Sequence, residues 1–514
     1  MSQSARSHLI RGARLLDVVT GSAPHRDLLV VDGLVADIAE PGVISSEFAQ
    51  VFDATDRMVI PGLVNAHSHA HGALAKGLGD KWTLEHLLNA GRWMNHGLVT
   101  EDKYLCGLLN AAELVSRGCT AVYDLYGEFP VPTPEGFEAI GRAYNDVGMR
   151  AVVAPMVADR NLFQAIQGLI DSIPEDLRDG LIPVQASPRE AVISGCESVF
   201  KSWPFDRDWI RPAIAPTIPL HCSIGFIRDC QRLALEFDLG MQTHLAESRA
   251  QAVSGIKRYG KTLTAHLEEI GFLGPNLMAA HCVWLDDDDI ARLAAHGCSV
   301  AHNPGSNLRL GSGLAPVRKM LDRGIHVGIG TDGSNCSDHQ NMFESMRLAA
   351  FVSRVQGMPS EQWLGASDVA SMALAGSAKA MHLSRKGPRL EVGAPADIVF
   401  LDLGNLNFVP FNNPLNQLVY SENGSAVDSV MIGGKWVLRH REFQTIDIAR
   451  LRARVSASVE RLREQSHRLQ MLADGIGQYI SSFCAGSLRE PYHIARLCGC
   501  ADPARPAVFQ AEPV

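Results

Sequence analysis

Eight short apolar runs separated by helical stretches occupy the middle of this chain: "LVNAHSH" (63–69), "CTAVYD" (119–124), "RAVVAPM" (150–156), "RPAIAPT" (211–217), "MQTHLAE" (241–247), "LMAAHCV" (277–283), "CSVAHNP" (298–304) and "HVGIGTD" (326–332). Runs of this length read as buried strands, and the helical segments between them supply the crossovers that parallel strands require. One such helix is predicted behind Thr100 as its cap, with Leu105, Leu108, Leu109, Ala112 and Val115 on one face. Eight strand–helix units predict an α/β fold, a (β/α)8 barrel of the TIM type over 61–389. The long stretch from Asn161 to Asp208 predicts an extra helix or excursion after the third strand.

Both ends of the chain look different. "LLVVDGLVADIAE" (Leu28–Glu40) carries an Asp32-Gly33 turn between two strand-like runs, a hairpin signal. The same texture returns in "ADIVFLDL" (396–403) and "VDSVMIGGKWVL" (427–438), the latter with Gly433-Gly434 at its turn. These segments predict one small β-sandwich domain assembled from 1–60 and 390–445. From 446 to 514 the chain becomes rich in Arg and Glu, then in Pro and Ala. A C-terminal helical extension is expected there, suited to packing on a neighbouring subunit, with a tail whose last residues fray.

Composition narrows the function. Hydrophobic residues make up 46% and charged residues 20% of 514, the range of an ordinary globular chain. A net charge of −9 argues against nucleic acid or an anionic membrane as partner. The N-terminus lacks the apolar run of a signal peptide, and no segment reaches the roughly 18 apolar residues of a membrane span. Eleven cysteines without framework spacing, Cys498 and Cys500 being the only close pair, predict free thiols. A cytoplasmic enzyme on a small-molecule substrate is the expectation.

The strand ends carry the chemistry. His69, Asp124, Glu247, His281, His302 and Asp332 fall where a barrel of this kind gathers its active site. His67 and His69, two apart on a strand, leave the same face and can converge on one ion. With His244 and Asp332 they make a four-ligand set of the kind that leaves a position open for water. His71 continues the alternation but lies past the strand end, so it reads as a pocket neighbour rather than a ligand. A metal brings the pKa of its water near neutrality. Attack on an electron-poor carbon then needs a proton for the leaving nitrogen or ring, which Glu247 is placed to shuttle. Asp332 can take the proton that the water loses, and His281 can hydrogen-bond the attacking oxygen.

"VIPGLVNAHSH", "THLAE", "AAHCVWL", "AHNPGSNLRLGSGLAPV", "GIGTDG" and "GAPADIVFLDL" together resemble the amidohydrolase superfamily, in its branch of aminohydrolases and chlorohydrolases acting on nitrogen heterocycles. The resemblance covers roughly 8–445. It implies one divalent metal per chain, zinc or alternatively iron, on His67, His69, His244 and Asp332, with Glu247 and His281 beside it. The bridging lysine or glutamate of two-metal members is missing from the ends of the third and fourth strands. Related enzymes are commonly dimers or higher, so a homo-oligomer is expected. Two departures weigh against a nucleoside: His96 stands where nucleoside deaminases of the branch carry a Glu, and Thr217 where they carry a His. The expected substrate contacts are His71, Trp93, His96, Thr217, His221, His302, Asn303 and Ser306. The leading expectation is a hydrolytic deaminase of an aromatic nitrogen heterocycle of purine-base, pterin, pyrimidine or triazine type. Hydrolysis of an amide, urea, carbamate or C–Cl bond on the same metal is the alternative, and Glu247 tilts against its dechlorinating form.

Overall fold

Each of the eight runs forms a strand, and all eight lie in one parallel sheet. A computed structural model describes residues 7–45, 47, 49–178, 186–383 and 389–497, and Arg92 only by its backbone. The strands are β1 (Leu63–Ser68), β2 (Cys119–Tyr126), β3 (Arg150–Val157), β4 (Ile210–Pro216), β5 (Gly240–Leu245), β6 (Leu277–His281), β7 (Ser299–His302) and β8 (Val327–Ile329). Their order in the sheet is their order in the chain. Between β8 and β1 there is no ladder among the described residues. Closure is made instead by Asn65, which accepts from the Thr331 N–H (3.0 Å) and donates to its hydroxyl (2.7 Å), and by the Asp332 N–H on the His67 carbonyl (2.9 Å).

The barrel interior is built largely of small side chains. Ala66, Ala121, Ala154, Ala213, Ala280 and Ala301 share one buried cluster with Val64, because eight converging strands leave little room at the axis. The β1–β2 register shifts twice, between Leu63 and Val64 and between Asn65 and Ser68. Asn65 pairs with Val122 but Ser68 pairs with Asp124, so three steps on β1 oppose two on β2. This bulge reverses the parity of the strand. Val64 and Ala66 face inward below it, and His67 and His69 face inward above it.

Both chain ends meet in a single mixed sheet of nine strands. The join is Ile398–Asp402 antiparallel to Arg57–Pro61. The predicted hairpins are present, with positive φ at both turn residues: Asp32 (50°) and Gly33 (84°), Gly433 (55°) and Gly434 (73°). The two turns abut, so that a Cβ on Gly434 would lie 2.7 Å from the Gly33 Cα. The sandwich is therefore one sheet curled on itself, closed round Ile10, Val30, Phe400 and Met431. Phe52 bridges its halves, 5.2 Å from Phe400 and 4.8 Å from Trp436, ring centre to ring centre.

Of three further details, the first and last differ from expectation and the excursion matches it. The helix Thr100–Ser116 begins one residue earlier than a Thr100 cap implies, because the Asp102 carboxylate reaches back to the Val99 N–H (2.8 Å); Leu109 is only half-buried. The excursion after β3 holds short turns at Leu162–Ala165, Ile170–Ser172 and Glu175–Arg178 before the helix Arg189–Lys201. The C-terminal extension is one 42-residue helix, Ile448–Arg489, and it packs on its own chain. Asn89 and His86 of the helix Leu84–Met94 bond its Ala473 and Gly477 carbonyls, each at 3.1 Å. Cys498, Cys500 and the expected frayed tail lie outside the described residues; the nine described cysteines are free and buried. No described helix is long and apolar enough to cross a membrane.

Candidate metal centre and active site

At the carboxyl ends of the strands, His67 from β1 and His69 just after it, His244 from β5, His281 closing β6 and Asp332 after β8 converge. His69 Nε2 is 3.1 Å from His244 Nε2 and 3.4 Å from Asp332 Oδ1. Asp332 Oδ1 lies 3.7 Å from His67 Nε2, and its Oδ2 lies 3.6 Å from His281 Nε2. The candidate ligand atoms of His67, His69 and His244 lie within 4.8 Å of one another.

The other ring nitrogens fix which form each imidazole takes. His67 Nδ1 bonds the Gln242 side-chain oxygen, His69 Nδ1 the Leu125 carbonyl (2.7 Å) and His244 Nδ1 the Thr217 carbonyl (2.6 Å). Carbonyl oxygens only accept, so each Nδ1 carries the proton and each Nε2 is a bare lone pair. Two such lone pairs 3.1 Å apart beside a carboxylate repel one another, and the fully buried His67 Nε2 has no partner at all. A divalent cation is the group that satisfies this donor set, and its chemistry fits zinc.

Burial pushes His67 down to about 3, which keeps it neutral. Burial alone would raise Asp332, but the imidazoles of His67, His69, His281 and His244 outweigh it and hold the carboxyl well below the usual range. Glu247 goes the other way. Only 2% exposed, it is raised well above the usual carboxyl range by burial, then by Asp332 and Glu85. Its Oε2 is 3.4 Å from His281 Nε2 and its Oε1 has no partner. His281 donates from Nδ1 to Asn307 (2.8 Å), while Asn303 Nδ2 approaches its Nε2 at 3.3 Å. His281 therefore accepts at Nε2 and donates there only after gaining a proton, a refinement of the role expected from sequence.

Local backbone conformation aims these groups. Ala246 (φ 47°), His281 (67°), Cys282 (51°) and Asp332 (64°) are all left-handed without being glycine. Such residues persist only where the surroundings enforce them, and they cluster at functional sites. Gly330 is needed for a simpler reason: a Cβ there would lie 2.7 Å from that of His67.

A cavity of about 540 Å³ opens above the cluster. His71, Trp93, His96, Thr217 and His221 line it, as do His69, His244, Glu247, His281 and Asp332. His96 stands exposed, while His221 is buried and pushed down to about 4 by that burial. His71 accepts the Gly127 N–H at Nδ1 (3.1 Å), so its proton sits on Nε2 and that nitrogen has no lone pair to offer a metal. His302, Asn303 and Ser306 do not line the cavity. After β7 the chain turns directly into the helix Pro304–Arg309, and Asn303 is turned towards His281 rather than the cavity. Burial pushes His302 down to about 3. Asp124, flagged as a polar strand end, is structural: it accepts the Ala70 N–H (2.8 Å) and the Tyr144 hydroxyl (2.9 Å).

Sequence reasoning missed Gln242 and a wall contributed by the C-terminal helix through Leu469, Leu472, Ala473 and Ile476. Gln242 had a signal, since it precedes His244 by two on one strand and so shares its face. Gln242→Leu is expected to weaken zinc binding by about 10–100-fold. Competition with a chelator of known affinity measures it, and unchanged affinity would remove Gln242 from the centre.

Residues 58–437 match the amidohydrolase family. A 5-methylthioadenosine/S-adenosylhomocysteine deaminase of Desulforudis audaxviator is 33% identical over 89% of this chain and 99% of its own length. A 5′-deoxyadenosine deaminase of Methanothermobacter thermautotrophicus is 30% identical over 86% and 95%. An adenosine deaminase of Xanthomonas campestris solved with bound zinc superposes with a TM-score of 0.78 at 25% identity, over 89% of this chain and 99% of that one. An atrazine chlorohydrolase of Arthrobacter aurescens TC1, solved with zinc, shares the fold at 24% identity and a TM-score of 0.76, over 88% and 100%. The matched span of the family, the relatives aligned along most of the chain and the shared barrel agree: this protein belongs to the amidohydrolase family.

Proposed function

We propose that this chain is a hydrolytic deaminase that uses one divalent metal, zinc in the first instance, to replace the exocyclic amine of an adenosine-type purine by oxygen. His67, His69, His244 and Asp332 would hold the ion, which when bound supplies Lewis-acid activation of water near neutral pH. A single ion suits the ends of β3 and β4, which present Met156 and Thr217 to the cavity instead of a bridging lysine or glutamate. The observation that carries the reading is Glu247: buried, with one oxygen unpartnered and its carboxyl raised well above the usual range by that burial, beside His281 and Asp332. A neutral carboxylic acid donates to a ring nitrogen, which makes the adjacent amine-bearing carbon electrophilic. Asp332 Oδ2 and His281 Nε2, 3.6 Å apart, can hold the attacking water and take its proton. Glu247, now a carboxylate, then takes the proton of the newly attached hydroxyl and passes it to the departing ammonia, and the proton held by Asp332 and His281 restores the acid.

The choice of an adenosine-type substrate departs from the expectation drawn from His96 and Thr217. The relatives named above support it, as does a cavity larger than a bare base requires. His96 and Thr217 line that cavity, so they change how a sugar or its substitute is gripped. The buried free thiols support a reducing, cytoplasmic setting.

Ammonia release across adenosine, 5′-deoxyadenosine, adenine, guanine, a pterin, cytosine and an aminotriazine tests the reading. Turnover is expected on adenine-bearing compounds and is expected to cease on chelation. If none releases ammonia while anilides, ureas or chlorotriazines are hydrolysed, the amide, urea or C–Cl reading replaces this one.

A further inference from the structure

We propose that the C-terminal helix is the specificity wall of the active site, and that Leu469, Leu472 and Ile476 form a distal subsite for an apolar substituent carried by the heterocycle. The inference rests on the heterocycle reading above and extends it to residues beyond 437, where the family match ends.

Leu469, Leu472, Ala473 and Ile476 recur at i, i+3, i+4 and i+7, one stripe of the helix, and all four line the same cavity as His244 and Glu247. Ala473 and Ile476 are buried, and Leu469 and Leu472 half-buried. Leu84, Leu87 and Leu88 of the helix Leu84–Met94 line the same cavity, so two helices contribute aliphatic side chains to its wall. Every protonating and metal-ligating group instead comes from the strand ends. A substrate that presents its reacting carbon to Glu247 therefore has its remote end available to the aliphatic helices.

The wall is held in a set position. Asn89 and His86 bond the Ala473 and Gly477 carbonyls, the Ser481 hydroxyl meets His86 Nε2 (2.9 Å), and the Cys484 thiol reaches Glu85 Oε2 (3.3 Å). Arg461 pairs with the buried Asp102 one face further back. These bonds fix the helix in rotation and register, which a surface that reads substituent length requires.

The test uses 9-alkylpurines of increasing chain length, which lack an exocyclic amine, so that calorimetry reads binding without turnover on the zinc-loaded full chain. Affinity is expected to rise about fourfold per added methylene until the subsite is full. Leu469→Ala and Leu472→Ala are expected to flatten that dependence. Met471→Ala, 63% exposed on the outer face of the same helix, is the control and is expected to preserve it. No dependence on chain length in the unaltered protein overturns the proposal, and so does a dependence unchanged in both leucine variants. Thermal melting checks that the variants fold, and the unaltered protein decides the matter alone if they do not. Matching 9-alkyladenines separate the two claims: length-dependent binding without any ammonia release sinks the deaminase reading and leaves the wall, while ammonia release without length dependence does the reverse.

Discussion

Glu247→Gln is expected to leave fold and metal content intact and to lower kcat by about 10²–10⁴-fold, the usual contribution of a positioned acid–base group. The amide has the same shape and can still donate a hydrogen bond, but it cannot surrender a proton to the ring or to the leaving ammonia. The four proposed ligands, His67, His69, His244 and Asp332, are untouched, so metal analysis should find the same zinc as in the unaltered chain. Burial raises the Glu247 carboxyl well above the usual range, towards its neutral form. Removing its ability to ionise therefore adds no buried charge, and the melting temperature should hold. Steady-state ammonia release with metal analysis on the same preparation separates the outcomes. Turnover within a few-fold of the original would remove Glu247 from the chemistry. Loss of zinc with loss of turnover would instead make it part of the metal site.

His244→Ala is expected to take zinc from about one equivalent per chain, the count for a mononuclear site, towards none and to abolish turnover. His244 bridges two functions in this structure. Its Nδ1 is anchored on Thr217, a residue of the cavity wall, and its Nε2 faces His69 Nε2 at 3.1 Å. Without it the remaining donors lie on one side of the site, all from β1, the residue just after it and the segment after β8. The apo variant should not be less stable on account of the lost ring contact, because two facing lone pairs repel in the absence of a cation. Added zinc should raise the melting temperature of the unaltered chain and leave that of the variant unmoved, since only a form that binds the ion is stabilised by it. Full zinc content in the variant would require a different ligand set, with His281 the nearest candidate.

Much of this was legible in the sequence because the relevant signals are local. Apolar runs of strand length, the two hairpin turns with their positive-φ residues, and polar residues at strand ends depend on neighbours in the chain, and they led to the barrel, the curled sheet, His67, His69, His244, Asp332 and Glu247. What failed depended on direction. His302, Asn303 and Ser306 follow a strand end as His281 and Asp332 do, yet the chain turns at once into Pro304–Arg309 and none of the three lines the cavity. The left-handed conformations of His281 and Asp332, which turn those side chains inward, leave no mark in residue type.

The sequence by itself determined the strand–helix alternation and the donor types gathered at the strand ends, since hydrophobic period and residue type are properties of short segments. The tertiary structure alone decided three things. A one-residue bulge on β1 brings His67 and His69 inward together; in an unbroken strand, Val64 and Ala66 would share neither face with them. Gln242, Leu125 and Thr217 select which nitrogen of each imidazole is bare. The helix Ile448–Arg489, more than 200 residues beyond Glu247, completes the cavity wall. Each is a matter of register or packing between segments distant in the chain, and such relations are set by the folded core rather than by the pattern of any one segment.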